Sequence, residues 1–309
     1  MKILVTGGAG FIGSHIVEFF QGKADIVVLD NFRSGFKNNL EGLQCRLIEG
    51  SITDPAAVRQ AVRGVDYIFH LAAMISVPES MAKPSECVEI NTQGTLIVLE
   101  EAARAGVKKL CLSSSAAIYG DNPMLPKTED MLPEPKSPYA VTKLDGEYYC
   151  RMFHNEGWLK TACMRYFNVF GPRQDPKSQY AAAVPIFIDK AVRNDPITIF
   201  GDGLQTRDFV FVKDVVAANV FLATRPDLTG VYNVACGGSI TIKELAEKIV
   251  ALTGSGSEIR FGPERAGDVK HSKADVEKIK SVGFTPINAF EDGLRRTIEF
   301  FKAKSDNSR

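Results

Sequence analysis

Thr6-Gly7-Gly8-Ala9-Gly10-Phe11-Ile12-Gly13 is the stretch that decides the fold. An apolar run over 2–6 leads into it, and a helical pattern over 11–21 leads out. Gly7, Gly10 and Gly13 have G-x-x-G-x-x-G spacing. In such a strand-to-helix turn the first glycine allows the tight reversal. The second lets a pyrophosphate approach the backbone, and the third lets helix and strand pack closely. The helix N-terminus adds N–H donors and the positive end of its dipole. Asp30 ends a second β-branched run over 26–30, seventeen residues after Gly13. A carboxylate there binds both hydroxyls of an adenosine ribose and repels a 2′-phosphate. NAD is therefore expected in preference to NADP. Arg33 works against that preference, because a guanidinium three residues on can reach a phosphate.

Working outward, strand-like runs at 46–49, 65–73, 109–115 and 161–169 alternate with helical patterns at 54–63, 91–105 and 139–156. Asp54 caps the first of these helices, with Pro55 at its first position. This alternation predicts an α/β fold of Rossmann type, a doubly wound parallel sheet covered on both faces. Crossovers should be right-handed. Beyond residue 170 the texture changes, with Pro172, Pro176, Pro185 and Pro196 breaking the pattern. Helical segments return at 212–223, 242–253 and 289–302. We expect a Rossmann domain over 1–170 and a smaller C-terminal α/β substrate domain over 171–309. A segment near 208–235 should return to the main sheet.

Composition narrows the function. Among 309 residues, Lys+Arg and Asp+Glu are 37 each, so the net charge is zero and a broad grip on nucleic acid is disfavoured. No apolar run reaches the roughly 18 to 20 residues of a membrane helix, and the first strand does not resemble a signal peptide. Cys45, Cys87, Cys111, Cys150, Cys163 and Cys236 include no Cys-x-x-Cys pair, which suits buried free thiols in a reducing, cytoplasmic setting. His15, His70, His154 and His271 lack ligand spacing, so no metal is expected.

Tyr139-Ala-Val-Thr-Lys143 places a phenol and an ammonium on one face of a helix. A free tyrosine titrates near pH 10, and a nearby ammonium and a cationic nicotinamide both favour its phenolate. Lowering that pKa by about three units takes about 4 kcal/mol, which two close positive charges can supply. Tyr139 is thus a candidate general base. Ser113-Ser114-Ser115 ends the fifth strand, where ligands bind in open α/β sheets. A hydroxyl there can meet a reacting hydroxyl, although composition alone does not choose among the three.

These motifs resemble the extended short-chain dehydrogenase/reductase family, in particular its nucleotide-sugar 4-epimerases of UDP-glucose and UDP-N-acetylglucosamine type. The likeness covers nearly the whole chain, through TGGAGFIG (6–13), LDN (29–31), HLAAMISVPES (70–80), NTQGT (91–95), SSSAAIYGD (113–121), SPYAVTK (137–143), RYFNVFGPRQDP (165–176), TIFGDG (198–203), TRDFVFVKD (206–214) and RAGD (265–268). It implies Ser115, Tyr139 and Lys143 as catalytic residues. It implies Phe11, Ile12, Asp30, Asn31, Ser51, Ile52, Ala72 and Tyr166 at the NAD site, beside the three glycines. Asn168, Arg207 and Arg265 should hold the sugar diphosphate, Thr198 and Phe200 should contact uracil, and Asp268 should meet the uridine ribose. The implied reaction oxidises the sugar at C4, turns the 4-keto sugar over, and returns the hydride to its other face.

Two departures from the family pattern stand out. Gly50-Ser51-Ile52 stands where many relatives have Gly-Asp-Ile, so adenine recognition differs or Asp54 takes part. Four residues beyond Asp268 comes Ser272, where relatives restricted to UDP-glucose and UDP-galactose commonly carry a bulky tyrosine. A small residue there leaves room for an N-acetyl group, so UDP-GlcNAc and UDP-GalNAc are expected substrates too. Ala116-Ala117 replaces the Asp-Glu pair of the related 4,6-dehydratases, which removes the acid and base of elimination. UDP-glucuronic acid 4-epimerisation or decarboxylation is the enzyme alternative. An NAD-binding sensor or scaffold is the non-enzyme one. The family's usual homodimer, a four-helix bundle, would use helices 91–105 and 139–156, with Ala102, Ala103 and Ala105 allowing close approach.

Overall fold

The computed structural model describes residues 1–176, 182–264 and 270–306. The first half runs β1 (Lys2–Thr6), α1 (Phe11–Phe19), β2 (Asp25–Asp30), β3 (Arg46–Glu49), α2 (Pro55–Ala61), β4 (Tyr67–His70), α3 (Val77–Ala82), α4 (Pro84–Val88), α5 (Gly94–Arg104), β5 (Lys109–Ser115), α6 (Pro138–Asn155) and β6 (Lys160–Tyr166). Then follow β7 (Asn168–Phe170), α7 (Ala183–Val192), β8 (Ile197–Phe200), β9 (Thr206–Arg207), β10 (Phe209–Phe211), α8 (Val212–Ala223) and β11 (Gly230–Val234). The chain ends with β12 (Ile240–Thr241), α9 (Ile242–Thr253), β13 (Ile259–Gly262), α10 (Glu277–Ser281) and α11 (Phe290–Asp306).

Local chemistry sets several boundaries. Asp54 accepts the Ala56 N–H at 2.9 Å and Pro55 opens α2. Ser137 does the same for α6, accepting the Ala140 N–H at 3.2 Å ahead of Pro138. Thr241 and Glu244 form a reciprocal capping box on α9, and Gly254 ends that helix in the left-handed region.

Seven strands form one sheet in the order β11-β6-β5-β4-β1-β2-β3, every neighbouring pair parallel. This is the doubly wound Rossmann-type sheet. The chain winds outward from β1 in both directions, so a crevice opens beyond the strand ends between β1 and β4. Side-chain alternation feeds two cores. Ile3, Val5 and Val28 pack with Ile16 and Val215 on one face, while Leu4, Val27 and Leu29 pack with Val58, Val98 and Phe153 on the other. A third cluster joins Phe170, Phe209 and Phe211 to Ile188, Ile199, Leu245 and Leu294.

Periodicity misplaced some elements. The run over 161–169 is two strands: β6 stays in the main sheet, and β7 leaves it to pair with β10. Consequently Phe209–Phe211 lies outside the main sheet, and within 208–235 only Gly230–Val234 joins it, along β6. The helix expected from 91 opens as a π-helical turn over Glu89–Gln93. Asn91, buried within that turn, bonds the Met74 N–H at 2.7 Å and carbonyl at 3.0 Å through its amide.

Buried charges tie the layers together. The Lys109 ammonium donates to Leu222, Arg225 and Leu228 carbonyls at 2.6, 2.8 and 2.6 Å, closing the C-terminal end of α8. Arg165 meets Glu147 through two parallel bonds of 2.9 and 2.7 Å, both side chains 4% exposed. Ser114 donates to the same carboxylate at 2.5 Å. Removing one partner strands the other charge in the core, so Arg165→Met should lower the unfolding free energy by about 3–5 kcal/mol. A lower urea midpoint at unchanged m-value is the readout, and a shift within error would show the pair to be dispensable.

Candidate active site

A cleft of about 930 Å³ opens at the carboxyl ends of β1, β2, β4 and β5 and continues to the β8–β9 region. Its floor is the glycine turn. Gly7 has φ of +71°, and a Cβ there would stand 2.8 Å from the Ala72 nitrogen. At Gly13 a Cβ would fall 2.2 Å from the Gly7 carbonyl oxygen. Gly10 precedes α1 without a side-chain cap, so the first N–H groups of that helix face the cleft as donors. Asp30 sits beneath the turn, accepting the Ala9 and Phe32 N–H groups, each at 2.8 Å. Burial, its largest influence, pushes the Asp30 pKa above the usual carboxylate value, and those two bonds oppose it.

The predicted cofactor residues come together here. Gly7, Gly10, Phe11, Ile12 and Gly13 line one wall, followed by Asp30, Asn31, Ser51 and Ile52. Ala72, Tyr139, Lys143 and Tyr166 complete that half. Asp54 is committed to capping α2, which leaves Ser51 at the wall. A close-packed glycine cradle, uncapped N–H donors and a ribose-side carboxylate fit a dinucleotide.

At the end of β5, Ser115 accepts the Ala117 N–H at 3.1 Å and hydrogen-bonds Tyr139. Ser114 is spent on Glu147, and the Ser113 carbonyl accepts from the Lys143 ammonium at 2.8 Å. The geometry thus separates three serines that strand position alone left equivalent. Lys143 lies 5.8 Å from the Tyr139 ring centre. The titration differs from expectation: burial pushes the Tyr139 pKa up, and the Ser115 bond only partly opposes this. Lys143 is itself lowered to about 8 by burial. The chain alone does not lower the phenol: burial dominates, and the Ser115 bond is the one influence that opposes it.

His70, invisible as a functional residue in the sequence, lies behind this pair. Thr6 Oγ1 accepts the Leu71 and Ala72 N–H groups at 3.2 and 3.3 Å and stands 2.7 Å from His70 Nδ1. Its hydroxyl hydrogen therefore goes to Nδ1, and Nε2–H donates to Thr95 at 3.0 Å. Burial and then Lys143 lower this imidazole to about 3, so it stays neutral. The chain Thr6–His70–Thr95 pins Ala72 against the glycine turn. Arg173 was also missed. It takes a φ of +67°, lines the cleft, and meets Glu18 at 3.0 Å beside His15 and Lys213. No local pattern announces either residue, since their partners lie far away in sequence.

Asn168, Thr198, Phe200 and Arg207 line the far half of the cleft. Asn168 donates to the Asp208 carbonyl at 3.1 Å, and Arg207 to the Thr206 carbonyl at 2.9 Å. Ser272 is not brought there. Its N–H donates to the Thr206 carbonyl at 3.1 Å, and flanking bridges to Thr206 and Lys127 hold this stretch alongside β9. Ser272 is thus held beside Thr206, one residue from the cleft-lining Arg207. Arg265 and Asp268 lie outside the described residues. Among the described residues no three His, Cys, Asp or Glu side chains gather as metal ligands, and no helix is long and apolar enough to cross a membrane.

Fold and site together define a dinucleotide-dependent enzyme of the extended short-chain dehydrogenase type. The chain belongs to the NAD dependent epimerase/dehydratase family, whose model matches residues 3–235. It is 37% identical to a UDP-glucose 4-epimerase of Mycolicibacterium smegmatis, over 99% of this chain and 100% of that one. It is 34% identical to a UDP-N-acetyl-α-D-glucosaminuronate decarboxylase of Bacillus cytotoxicus, over 97% and 98%. A UDP-N-acetylglucosamine 4-epimerase of Methanobrevibacter ruminantium, solved with UDP-N-acetylmuramic acid, superposes with a TM-score of 0.95 at 39% identity, covering 98% of both chains. The protein is an NAD-dependent isomerase acting on carbohydrates.

Lys143 gives a test on stability. Its folded pKa of about 8 lies below the ordinary 10.5. Below pH 8 both folded and unfolded states carry the proton, and the folded state bears the full burial penalty. Between about 8 and 10.5 the unfolded state binds more protons, so rising pH stabilises the native protein. Lys143→Met should therefore melt higher than wild type at pH 7, with the gap closing as pH passes 8. A gap independent of pH would contradict the burial account.

Proposed function

We propose that the protein is a UDP-hexose 4-epimerase acting on UDP-glucose and UDP-galactose, and on UDP-GlcNAc and UDP-GalNAc. The observation that carries this reading is that Ser115, Tyr139 and Lys143 stand at the middle of one continuous cleft. The glycine cradle lies on one side, and Asn168, Thr198, Phe200 and Arg207 on the other. The N-acetyl substrates rest on the likeness to the Methanobrevibacter enzyme rather than on Ser272.

In this reading Tyr139 takes the proton of the sugar 4-hydroxyl, with Ser115 orienting that hydroxyl. Lys143, anchored on the Ser113 carbonyl, holds the nicotinamide ribose and keeps a positive charge at the site. Bound NAD would supply the hydride acceptor and donor for C4, and its oxidised ring would supply a second positive charge favouring the Tyr139 phenolate. Arg207 and Asn168 hold the diphosphate while the sugar turns; the family resemblance alone assigns Arg265 to the diphosphate and Asp268 to the uridine ribose. The two alanines after Ser115 leave elimination without its acid and base.

The test is conversion of UDP-glucose, UDP-GlcNAc and UDP-glucuronic acid, each with NAD, resolved by chromatography. Galacto products from both neutral sugars are expected. Turnover of the uronic acid alone would move the function to an acid epimerase or decarboxylase, and none at all would favour a sensor or scaffold. Tyr139→Phe should lower kcat by about 10²–10⁴-fold with NAD content unchanged.

We also infer a homodimer in the cytoplasm. Val141, Tyr148 and Met152 form an exposed apolar stripe along α6, at 42%, 47% and 42% exposure. Sedimentation equilibrium should give twice the chain mass, and Tyr148→Glu with Met152→Glu should give a monomer. A monomeric wild type would refute the pairing.

A further inference from the structure

Arg33 takes no part in the machinery above, although its place after Asp30 marks it as a ready ligand for a 2′-phosphate. It lines the cleft, on the same wall as Asp30 and Asn31. The backbone reverses just before it. Phe32 has φ of +57°, a conformation that a bulky residue rarely adopts. The turn is held by the carboxylate and amide that precede it. Phe32 N–H donates to Asp30 Oδ1 at 2.8 Å, and Arg33 N–H donates to Asn31 Oδ1 at 3.2 Å. Strain of this kind persists where the surroundings over-determine it.

The reversed turn carries the guanidinium across to the segment that follows β4. Nη2 donates to Glu79 of α3 at 2.7 Å, and Nη1 donates to Glu86 of α4. Each terminal nitrogen thus has its own carboxylate. Ser76 fixes the start of α3 by accepting the Glu79 N–H at 3.1 Å, and Lys83 approaches Glu86 at 3.4 Å. The three paired side chains are 29–35% exposed, so the clasp sits at the rim of the cleft and water can still reach it.

We propose that Glu79 and Glu86 are specificity residues for the cofactor, acting through Arg33. A planar guanidinium is the group best suited to a phosphate, and one beside the adenosine ribose is how related folds accept NADP. Here two carboxylates occupy that guanidinium. A 2′-phosphate would meet the Asp30 carboxylate without a compensating cation, and it would have to break two ion pairs to recruit one. Cofactor choice in this chain therefore has two layers. Asp30 repels the phosphate, and the Glu79–Arg33–Glu86 clasp withholds the residue that would attract it.

The test reads binding directly. The cofactor-depleted full-length chain is titrated with NAD+ and with NADP+ by isothermal calorimetry. Circular dichroism confirms the fold of each variant. Glu79→Gln with Glu86→Gln should tighten NADP+ by about tenfold, the effect of one charge-assisted contact. NAD+ affinity should change much less. Adding Arg33→Ala to that pair should abolish the gain. Unchanged NADP+ affinity in the double variant would overturn the proposal, as would a gain that survives Arg33→Ala. Equal weakening of both cofactors would overturn it too, because the carboxylates would then only shape the rim.

Discussion

The constraint on which the site depends is backbone against backbone at the head of β1. Gly7 and Gly13 leave no room for a Cβ, one against the Ala72 amide and the other against the Gly7 carbonyl. That contact sets the distance between the β1–α1 turn and the exit of β4, and so the width of the crevice at the switch point. It also fixes where the first N–H groups of α1 aim. Asp30 reads out the same geometry from the other side, because its carboxylate holds the Ala9 amide inside the turn. A side chain at either glycine would move the helix, and with it the cofactor half of the cleft.

Behind that contact, buried polar groups do the positioning. Thr6, His70 and Thr95 form a neutral hydrogen-bonded chain under Ala72, and Asn91, within a π-helical turn, holds Met74. Each is satisfied, so burial brings rigidity without an orphaned donor. Lys143 and Tyr139 pay differently. Both are shifted by desolvation away from the charge states that chemistry at the sugar would use. In the proposed reaction, competence would depend on charge arriving with the cofactor.

The parts of this design that were legible in sequence are those whose residues are close together in the chain. The glycine turn, the Asp30 strand end, the Tyr139/Lys143 pair and the cap at Asp54 are each written within a few residues. Period and spacing report such features directly, because one helix face or one tight turn imposes them. What the sequence misjudged involved remote partners. The strand over 161–169 divides because β10, forty residues on, offers β7 a mate outside the main sheet.

The sequence by itself determined the fold class, the dinucleotide turn and the chemical type of the site, since local backbone demands and 3.6- or 2-residue periods leave few other solutions. Tertiary structure alone decided which of three serines faces Tyr139, that burial raises the Tyr139 phenol, that His70 is a neutral strut, and that Arg33 is held by Glu79 and Glu86. Those outcomes depend on desolvation and on partners 24 or more residues away, and neither quantity is carried by neighbouring letters in a chain.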